Sequence, residues 1–226
     1  VTELEKSFED LNPWSTRFLI GDQEYGGSYK AYEDIRISQF ETRFSKSKHI
    51  LELGSLEGGH SIRLALNHKV TAIEGRKKNI EKSEFIKKLF FIGDELKFVE
   101  SNLDMIKDFS DYKDCDVVFC VGVLYHLDKP WELIEKISKI TKNLFVWTHY
   151  IKDEEVACEE NGYKGKRMGE GTIEISTDGL TPFAFWFNKE SLLRMFEDNG
   201  FKNLVIVRDH IDLLPKPAIT LSFGDK

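Results

Sequence analysis

Residues 49–59, His-Ile-Leu-Glu-Leu-Gly-Ser-Leu-Glu-Gly-Gly, carry an apolar run that breaks into glycines and passes into a helical pattern over 60–65. That order reads as a strand, a tight turn and a helix whose amino end faces the turn. A second apolar run, Val70, Thr71, Ala72 and Ile73, follows the helix and stops at Glu74. Two strands joined through a helix run parallel, so the unit commits the chain to an α/β sheet. Glycines in the turn let the backbone approach a ligand closely. A carboxylate ending the next strand accepts hydrogen bonds from ribose hydroxyls, so the layout predicts a nucleoside-bearing ligand at this edge.

The alternation continues. Spacing predicts strands over 49–54, 69–74, 97–100, 116–121 and 143–148, with helices over 59–67, 77–91 and 130–140 between them. In the second helix Ile80, Phe85, Ile86, Leu89 and Phe90 are expected to turn inward. The unbroken apolar run at 117–121 marks a central parallel strand. A late pair, 204–207 and 218–223, reads as a hairpin at one sheet edge. Right-handed crossovers then give a doubly wound, mostly parallel, seven-stranded sheet. The 226 residues fit one domain: an N-terminal cover over 1–47, a ligand-binding core over 48–150, an insertion over 151–187, and a C-terminal helix and strand pair over 188–226. The cover is expected to hold a hairpin near 18–25 and a helix over 31–44, with no sustained period before them. The insertion is charged and glycine-rich (Gly162, Gly165, Gly169, Gly171, Gly179), and a stretch of that length reads as a lid over a binding site. Asn188 is the expected N-cap of the next helix, and Gly200 its stop.

Hydrophobic residues are 41% and charged residues 31% of the chain, the balance of an ordinary globular protein. No apolar stretch approaches the roughly 20 residues that cross a bilayer, so no membrane span is expected. The start, Val-Thr-Glu-Leu-Glu-Lys, lacks the basic-then-apolar order of a signal peptide, and Cys115, Cys120 and Cys158 show no metal-like spacing. Free thiols and a cytoplasmic location are expected. The 32 basic and 39 acidic residues give a net charge of −7, which argues against a large nucleic-acid footprint while leaving room for a local basic patch. No pattern specifies an oligomeric state.

Taken in order, Glu52-Leu-Gly54-Ser-Leu-Glu-Gly58-Gly59, Glu74, Asn102-Leu103 and Cys120-Val-Gly-Val-Leu-Tyr-His126 resemble class I S-adenosylmethionine-dependent methyltransferases over roughly 48–150. The segment Gly-Val-Leu-Tyr-His is similar to that of tRNA wobble-uridine (carboxy)methyltransferase-like proteins, as is the short hairpin within 18–27. Methyltransferase-like proteins of glycan and natural-product pathways share the pattern. Leu56 departs from it, standing where the family form has its middle glycine. A looser turn suits a cofactor without phosphate better than a dinucleotide.

The resemblance implies a Rossmann-like methyltransferase fold, S-adenosyl-L-methionine as cofactor and a set of residue roles. Gly54, Ser55 and Gly58 would line the methionine moiety, with Glu52 orienting the turn. Glu74 would accept the ribose hydroxyls. Asn102 and Leu103 would frame the adenine, the Asn oxygen accepting from its amino group. Cys120 and Val121 would face the ammonium with backbone carbonyls, and Gly122 would leave room at the sulfonium.

Methyl transfer from a sulfonium is an in-line displacement with a neutral leaving group, so a base is needed only where the acceptor must lose a proton. His126 and His149 follow the ends of two parallel strands, where such sheets place their sites, and are the candidate catalytic bases. Tyr125, Tyr150, Trp186 and Arg36 are the candidate acceptor-binding residues. Tyr163, Phe183, Phe185 and Phe187 extend the aromatic zone of Trp186, which reads either as an acceptor platform or as a core cap. Arg167 is a second candidate for an anionic acceptor group, and His60 reads as a packing or capping residue. His149, Asp153 and Glu154 are too scattered for a metal site, and none is expected. The expected function is O-methylation of a small acceptor, a sugar or secondary metabolite. Modification of tRNA and cofactor binding without turnover are the alternatives.

Overall fold

The computed structural model describes residues 2–171, 177–213 and 216–224; the parts of the predicted segments at 1, 172–176, 214–215 and 225–226 lie outside the described residues. The chain opens with helix α1 (Glu3–Asp10), which the sequence reading missed. Its signal was local: Thr2 and Glu5 form a reciprocal capping box, satisfying two otherwise orphaned backbone donors. Only Phe8 of this helix is buried, so no apolar period announces it.

Strands β1 (Thr16–Ile20) and β2 (Gln23–Gly26) make the expected hairpin, and β3 (Tyr29–Lys30) adds parallel to β1. A single 3-10 turn leads into α2 (Ile35–Phe44), so the predicted helix over 31–44 starts four residues late, where Asp34 caps it. The alternating core follows: β4 (His49–Leu53), α3 (Gly59–Ala65), β5 (Lys69–Glu74), α4 (Lys77–Leu89), β6 (Leu96–Glu100), β7 (Val117–Val121), α5 (Pro130–Ser138) and β8 (Leu144–His149). In α4 Ile86 is fully buried, whereas Ile80, Phe85, Leu89 and Phe90 are only partly covered.

The predicted insertion is not the irregular excursion its composition suggests. Strands β9 (Cys158–Glu160), β10 (Tyr163–Gly169) and β11 (Phe183–Phe187) form a small antiparallel sheet of their own. Tyr163, Phe185 and Phe187 pack from it into the core, which is the core-capping alternative for these three aromatics; Phe183 is exposed. The chain ends with α6 (Lys189–Asp198), capped by the Asn188 side chain as expected, then β12 (Val205–His210) and β13 (Ala218–Phe223).

The main sheet has seven strands in the order β12-β13-β8-β7-β4-β5-β6. β4 to β8 pair in parallel, whereas β13 runs antiparallel to both neighbours. Alternate residues feed two cores. Leu51, Leu53, Val118, Cys120 and Val146 meet α5 and α6 on one face. Ile50, Val70, Phe119 and Phe145 meet α2, α3 and the N-terminal segment on the other. Chain order reverses between β4 and β7, and a crevice opens at their carboxyl ends, the place where such sheets bind ligands. Among the described residues no helix is long and apolar enough to cross a membrane.

Candidate active site

The turn after β4 is held from both sides. Gly54 has φ +70, and a Cβ there would stand 2.5 Å from Val123 Cγ2, so both conformation and space require glycine. Leu56 is also left-handed at φ 51, a conformation that costs an L-residue roughly 1–2 kcal/mol. It therefore bends the turn much as the family's middle glycine would. What holds it there is Glu74, whose Oε2 accepts the Leu56 N–H at 2.9 Å. On the other side the Glu57 carboxylate is fully buried against Lys82 Nζ at 2.8 Å.

Above this turn lies a cavity of about 300 Å³. Gly54, Ser55, Leu56, Glu74, Asn102, Leu103 and Val121 line one side, with Gly122, Tyr125, His126, Trp147 and Arg36 continuing the wall. Glu74 is almost wholly buried; its Oε1 accepts from Arg76 N at 2.9 Å and Asn79 Nδ2 at 3.3 Å. Burial pushes its pKa up against the bonds from Arg76, Leu56 and Asn79. Ser55 Oγ is buried and has no partner among the described residues, a polar group placed for a ligand in the cavity its residue lines. Asn102 Oδ1 already accepts from Asp104 N at 3.0 Å, an Asx turn, so its side chain is set by its own loop.

The opposite wall holds a polar group of four residues. Asp34 accepts from Arg36 Nε at 2.9 Å and from the Tyr29 hydroxyl, and stands 2.8 Å from His60 Nε2. Arg36 Nη2 donates to the Tyr29 oxygen at 2.9 Å, and its guanidinium lies 4.6 Å from the centroid of Trp147. Tyr29, Arg36 and His60 line the cavity. Sequence reasoning placed Arg36 here but passed over Tyr29 and Asp34 and read His60 as packing. Tyr29, Asp34 and His60 come from separate elements, and no local pattern links them.

A roof closes the cavity. Arg76 Nη2 donates to Asp178 O at 2.6 Å and Gly179 O at 3.2 Å, and Leu180 packs where a Cβ on Gly75 would be. His126 lines the cavity with Nδ1 2.9 Å from Glu170 Oε2, which also accepts Gly179 N at 2.6 Å. Burial pushes the Glu170 carboxyl up, but the bonds from His126 and Gly179 outweigh it and hold it below its ordinary value.

Six residues expected at the site stand behind the cavity wall. Cys120 is buried in the core beneath β7, where burial pushes its thiol up to about 12. Gly58 packs against Ser83 at the start of α3. Tyr150 donates its hydroxyl to Asp209 Oδ1 at 2.8 Å. His149 donates from Nδ1 to Pro217 O at 3.1 Å and stacks on Trp186 at 5.3 Å, so both rings back Tyr125 and Trp147. Burial, the first cause, lowers the His149 pKa. Arg167, a secondary candidate outside these six, is paired with Glu160 and Asp128. Among the described residues no three His, Cys, Asp or Glu converge as a metal site would require.

Glu52, the sixth, accepts from Ser61 Oγ at 2.5 Å and ties the first strand to α3. Full burial pushes its carboxyl from 4.5 up to about 7. Between those values the unfolded chain ionises Glu52 while the folded chain keeps its proton, so stability falls as pH rises through this window. Glu52→Gln removes the titration. It is expected to raise stability at pH 8 by about 1–2 kcal/mol and to change little at pH 5. Urea unfolding at the two pH values checks this; equal effects at both would refute it.

Residues 51–144 match a family model described as a methyltransferase domain. The chain is similar to the N-terminal domain of EvdMO1 with SAH bound, at TM-score 0.87 and 25% identity over 99% of this chain and 95% of that one. It is similar to the same domain in the presence of SAH and D-fucose at TM-score 0.88 and 24% identity, over 99% and 96% of the two chains. Against the longer EvdMO1 structure the TM-score is 0.78 at 22% identity; the match covers 99% of this chain and 47% of that one. No curated protein sequence matches the chain. The sheet order and these likenesses make the fold the Rossmann-like methyltransferase fold.

Proposed function

We propose that this S-adenosylmethionine-dependent methyltransferase alkylates a hydroxyl of a small sugar or sugar-like metabolite, bound between Tyr29, Arg36, Tyr125, His126 and Trp147. The cofactor supplies a methyl group on a sulfonium and leaves as a neutral thioether. The residues fit it. The glycine cradle at Gly54 leaves room for close approach, the orphaned Ser55 Oγ offers a polar partner, and Glu74 closes the ribose end. Leu103 and the fixed Asn102 would border the adenine, with the Asn amide rather than its oxygen facing the ring, because the oxygen is engaged. Val121 and Gly122 would border the methionine end.

The observation that carries the acceptor assignment is the wall of Tyr29, Asp34, Arg36 and His60. Tyr29, Arg36 and His60 bring polar groups to the cavity, held by the Asp34 carboxylate behind them, and Trp147 and Tyr125 supply faces for a sugar ring. EvdMO1, the protein whose N-terminal domain is similar over nearly all of this chain, was crystallised in the presence of D-fucose, which is consistent with this acceptor class. The resemblance to tRNA-modifying enzymes rests on the segment at 122–126 and the hairpin within 18–27. Two further features weigh against it: a cavity of about 300 Å³ roofed at 177–180 suits a small molecule, and both arginines that line it, Arg36 and Arg76, bond protein acceptors.

Well-oriented reactants gain roughly 7–11 kcal/mol from positioning alone. The walls therefore do most of their work by holding the acceptor oxygen in line. Incubation with methyl-labelled cofactor and a panel of deoxyhexoses, hexoses, phenols and tRNA tests the reading. Label is expected in O-methyl sugar; label confined to tRNA or to non-hydroxyl acceptors would overturn it.

A further inference from the structure

Three elements meet at the Asp34 carboxylate: β3 through Tyr29, the cap of α2 through Asp34 itself, and, 26 residues on, the first turn of α3 through His60. Every hydrogen there can be assigned. Tyr29 donates its hydroxyl to Asp34 Oδ2, and Arg36 donates through its backbone N–H at 2.9 Å and its guanidinium. Burial pushes the Asp34 carboxyl up, but the bonds from His60 and Arg36 outweigh it and keep it ionised far below the usual range. An ionised carboxylate has no hydrogen to give, so His60 Nε2, 2.8 Å away, carries the proton of that contact. Tyr29 has given its own hydrogen to Asp34, so its oxygen, 2.8 Å from Nε2, shares the same N–H. Both hydrogen bonds His60 makes among the described residues use Nε2. The network therefore fixes the tautomer with the lone pair on Nδ1, on a ring that lines the cavity.

Resting on the hydroxyl-acceptor reading above, we infer that His60 is the general base of the transfer, its Nδ1 taking the acceptor's proton while Asp34 orients the ring. The acceptor's O–H bond breaks toward Nδ1 as its oxygen bonds to the methyl carbon. The carbon–sulfur pair stays on sulfur, and the positive charge passes to the imidazolium. Asp34 then faces that imidazolium and stabilises it, and the proton leaves to solvent when the product departs. Tyr29 and Arg36 hold the carboxylate and are positioning residues.

The ring also faces charged groups from several elements: Asp34 and Arg36 at the start of α2, Arg63 within α3, and the Tyr29 hydroxyl. Burial lowers the imidazole's proton affinity, Asp34 raises it, and Arg36 and Arg63 lower it, with a net value below the ordinary one. At neutral pH the base is therefore free, and the rate falls only on acidification. His126 also lines the cavity, with its Nδ1 on Glu170, and His149 stands behind the wall.

The test measures kcat from about pH 5 to 9 for wild type, His60→Gln and Asp34→Asn on the sugar the wild type methylates, with S-adenosylhomocysteine affinity by calorimetry in parallel. His60→Gln is expected to lower kcat about 10²- to 10³-fold and to erase the acid limb, with cofactor-product affinity nearly unchanged. Asn caps a helix as well as Asp does, so Asp34→Asn keeps the α2 cap. It is expected to lower kcat and move the acid limb to lower pH, because the imidazolium loses its carboxylate. A wild type that methylates no hydroxyl overturns both this inference and the reading beneath it. A wild type that does, beside a His60→Gln enzyme keeping its rate or its acid limb, overturns the base assignment alone. Should His60→Gln lose S-adenosylhomocysteine binding through misfolding, Asp34→Asn decides, and an unshifted limb refutes the base.

Discussion

Replacing Glu57 with Ala is expected to lower the unfolding free energy by about 3–5 kcal/mol, because it strands a buried charge. Glu57 sits inside the turn after β4 and is fully buried. Its oxygens accept Ser15 N at 3.0 Å, Thr16 N at 2.6 Å and Lys82 Nζ at 2.8 Å. Lys82 also donates to Pro13 O and lies 5.1 Å from the Trp14 ring. One carboxylate thus joins the N-terminal segment, the turn and α4. Without it an ammonium and two backbone donors remain buried and under-satisfied. For a chain of this size the loss corresponds to roughly 6–20 °C in Tm. Glu57→Gln with Lys82→Met keeps an acceptor for the two N–H groups and removes the lone charge, so it should recover much of the loss. Urea denaturation of the three proteins checks this; a loss under about 1 kcal/mol for Glu57→Ala would show the pair to be dispensable.

That ion pair was not legible in the sequence, although the turn containing it was. Central parallel strands are buried on both faces, so Val117–Val121 announces itself as an unbroken apolar run, and the mostly parallel sheet follows from the alternation. The glycine turn and Glu74 were readable for the same reason: their chemistry lies within one βαβ unit. Strands β9 to β11 were not. Lys164 is exposed and Arg167 pairs with acids, and in β11 Ala184 is buried beside Phe185 and Phe187, so no clean alternation marks the strand. What was missed at the site was missed for its distance along the chain. Tyr29 lies on a strand of two residues and meets His60 across 31 positions, a pairing that only the packed N-terminal segment creates. His149 looked catalytic because it ends a parallel strand. β8 runs on to include it, and Trp147, two residues earlier on the same strand face, is the side chain that reaches the cavity.

Glu74→Ala is expected to weaken binding of S-adenosylhomocysteine by about 10- to 150-fold, the 1.5–3 kcal/mol carried by a hydrogen bond to a charged group. The carboxylate has two duties. Oε2 holds the Leu56 N–H, and Oε1 holds Arg76 N and Asn79 Nδ2, so of about four lone-pair sites one, on Oε2, is left for a ribose hydroxyl in the cavity that Glu74 lines. Its removal therefore takes away a ligand contact and also frees Leu56 from a left-handed conformation that nothing local favours. Glu74→Gln separates the two. The amide oxygen can keep one backbone bond, but its NH₂ then confronts a donor, so an intermediate loss of about 10-fold is expected. Acidity supplies a second readout. Burial raises the Glu74 pKa above 4.5, so affinity in the wild type should begin to fall at a higher pH than for an ordinary carboxylate as the acid protonates. That onset should be absent in both variants. Calorimetry across pH decides it: an unchanged Kd in folded Glu74→Ala would remove this residue from the cofactor site, and with it the geometric reason for placing the ribose at the end of β5.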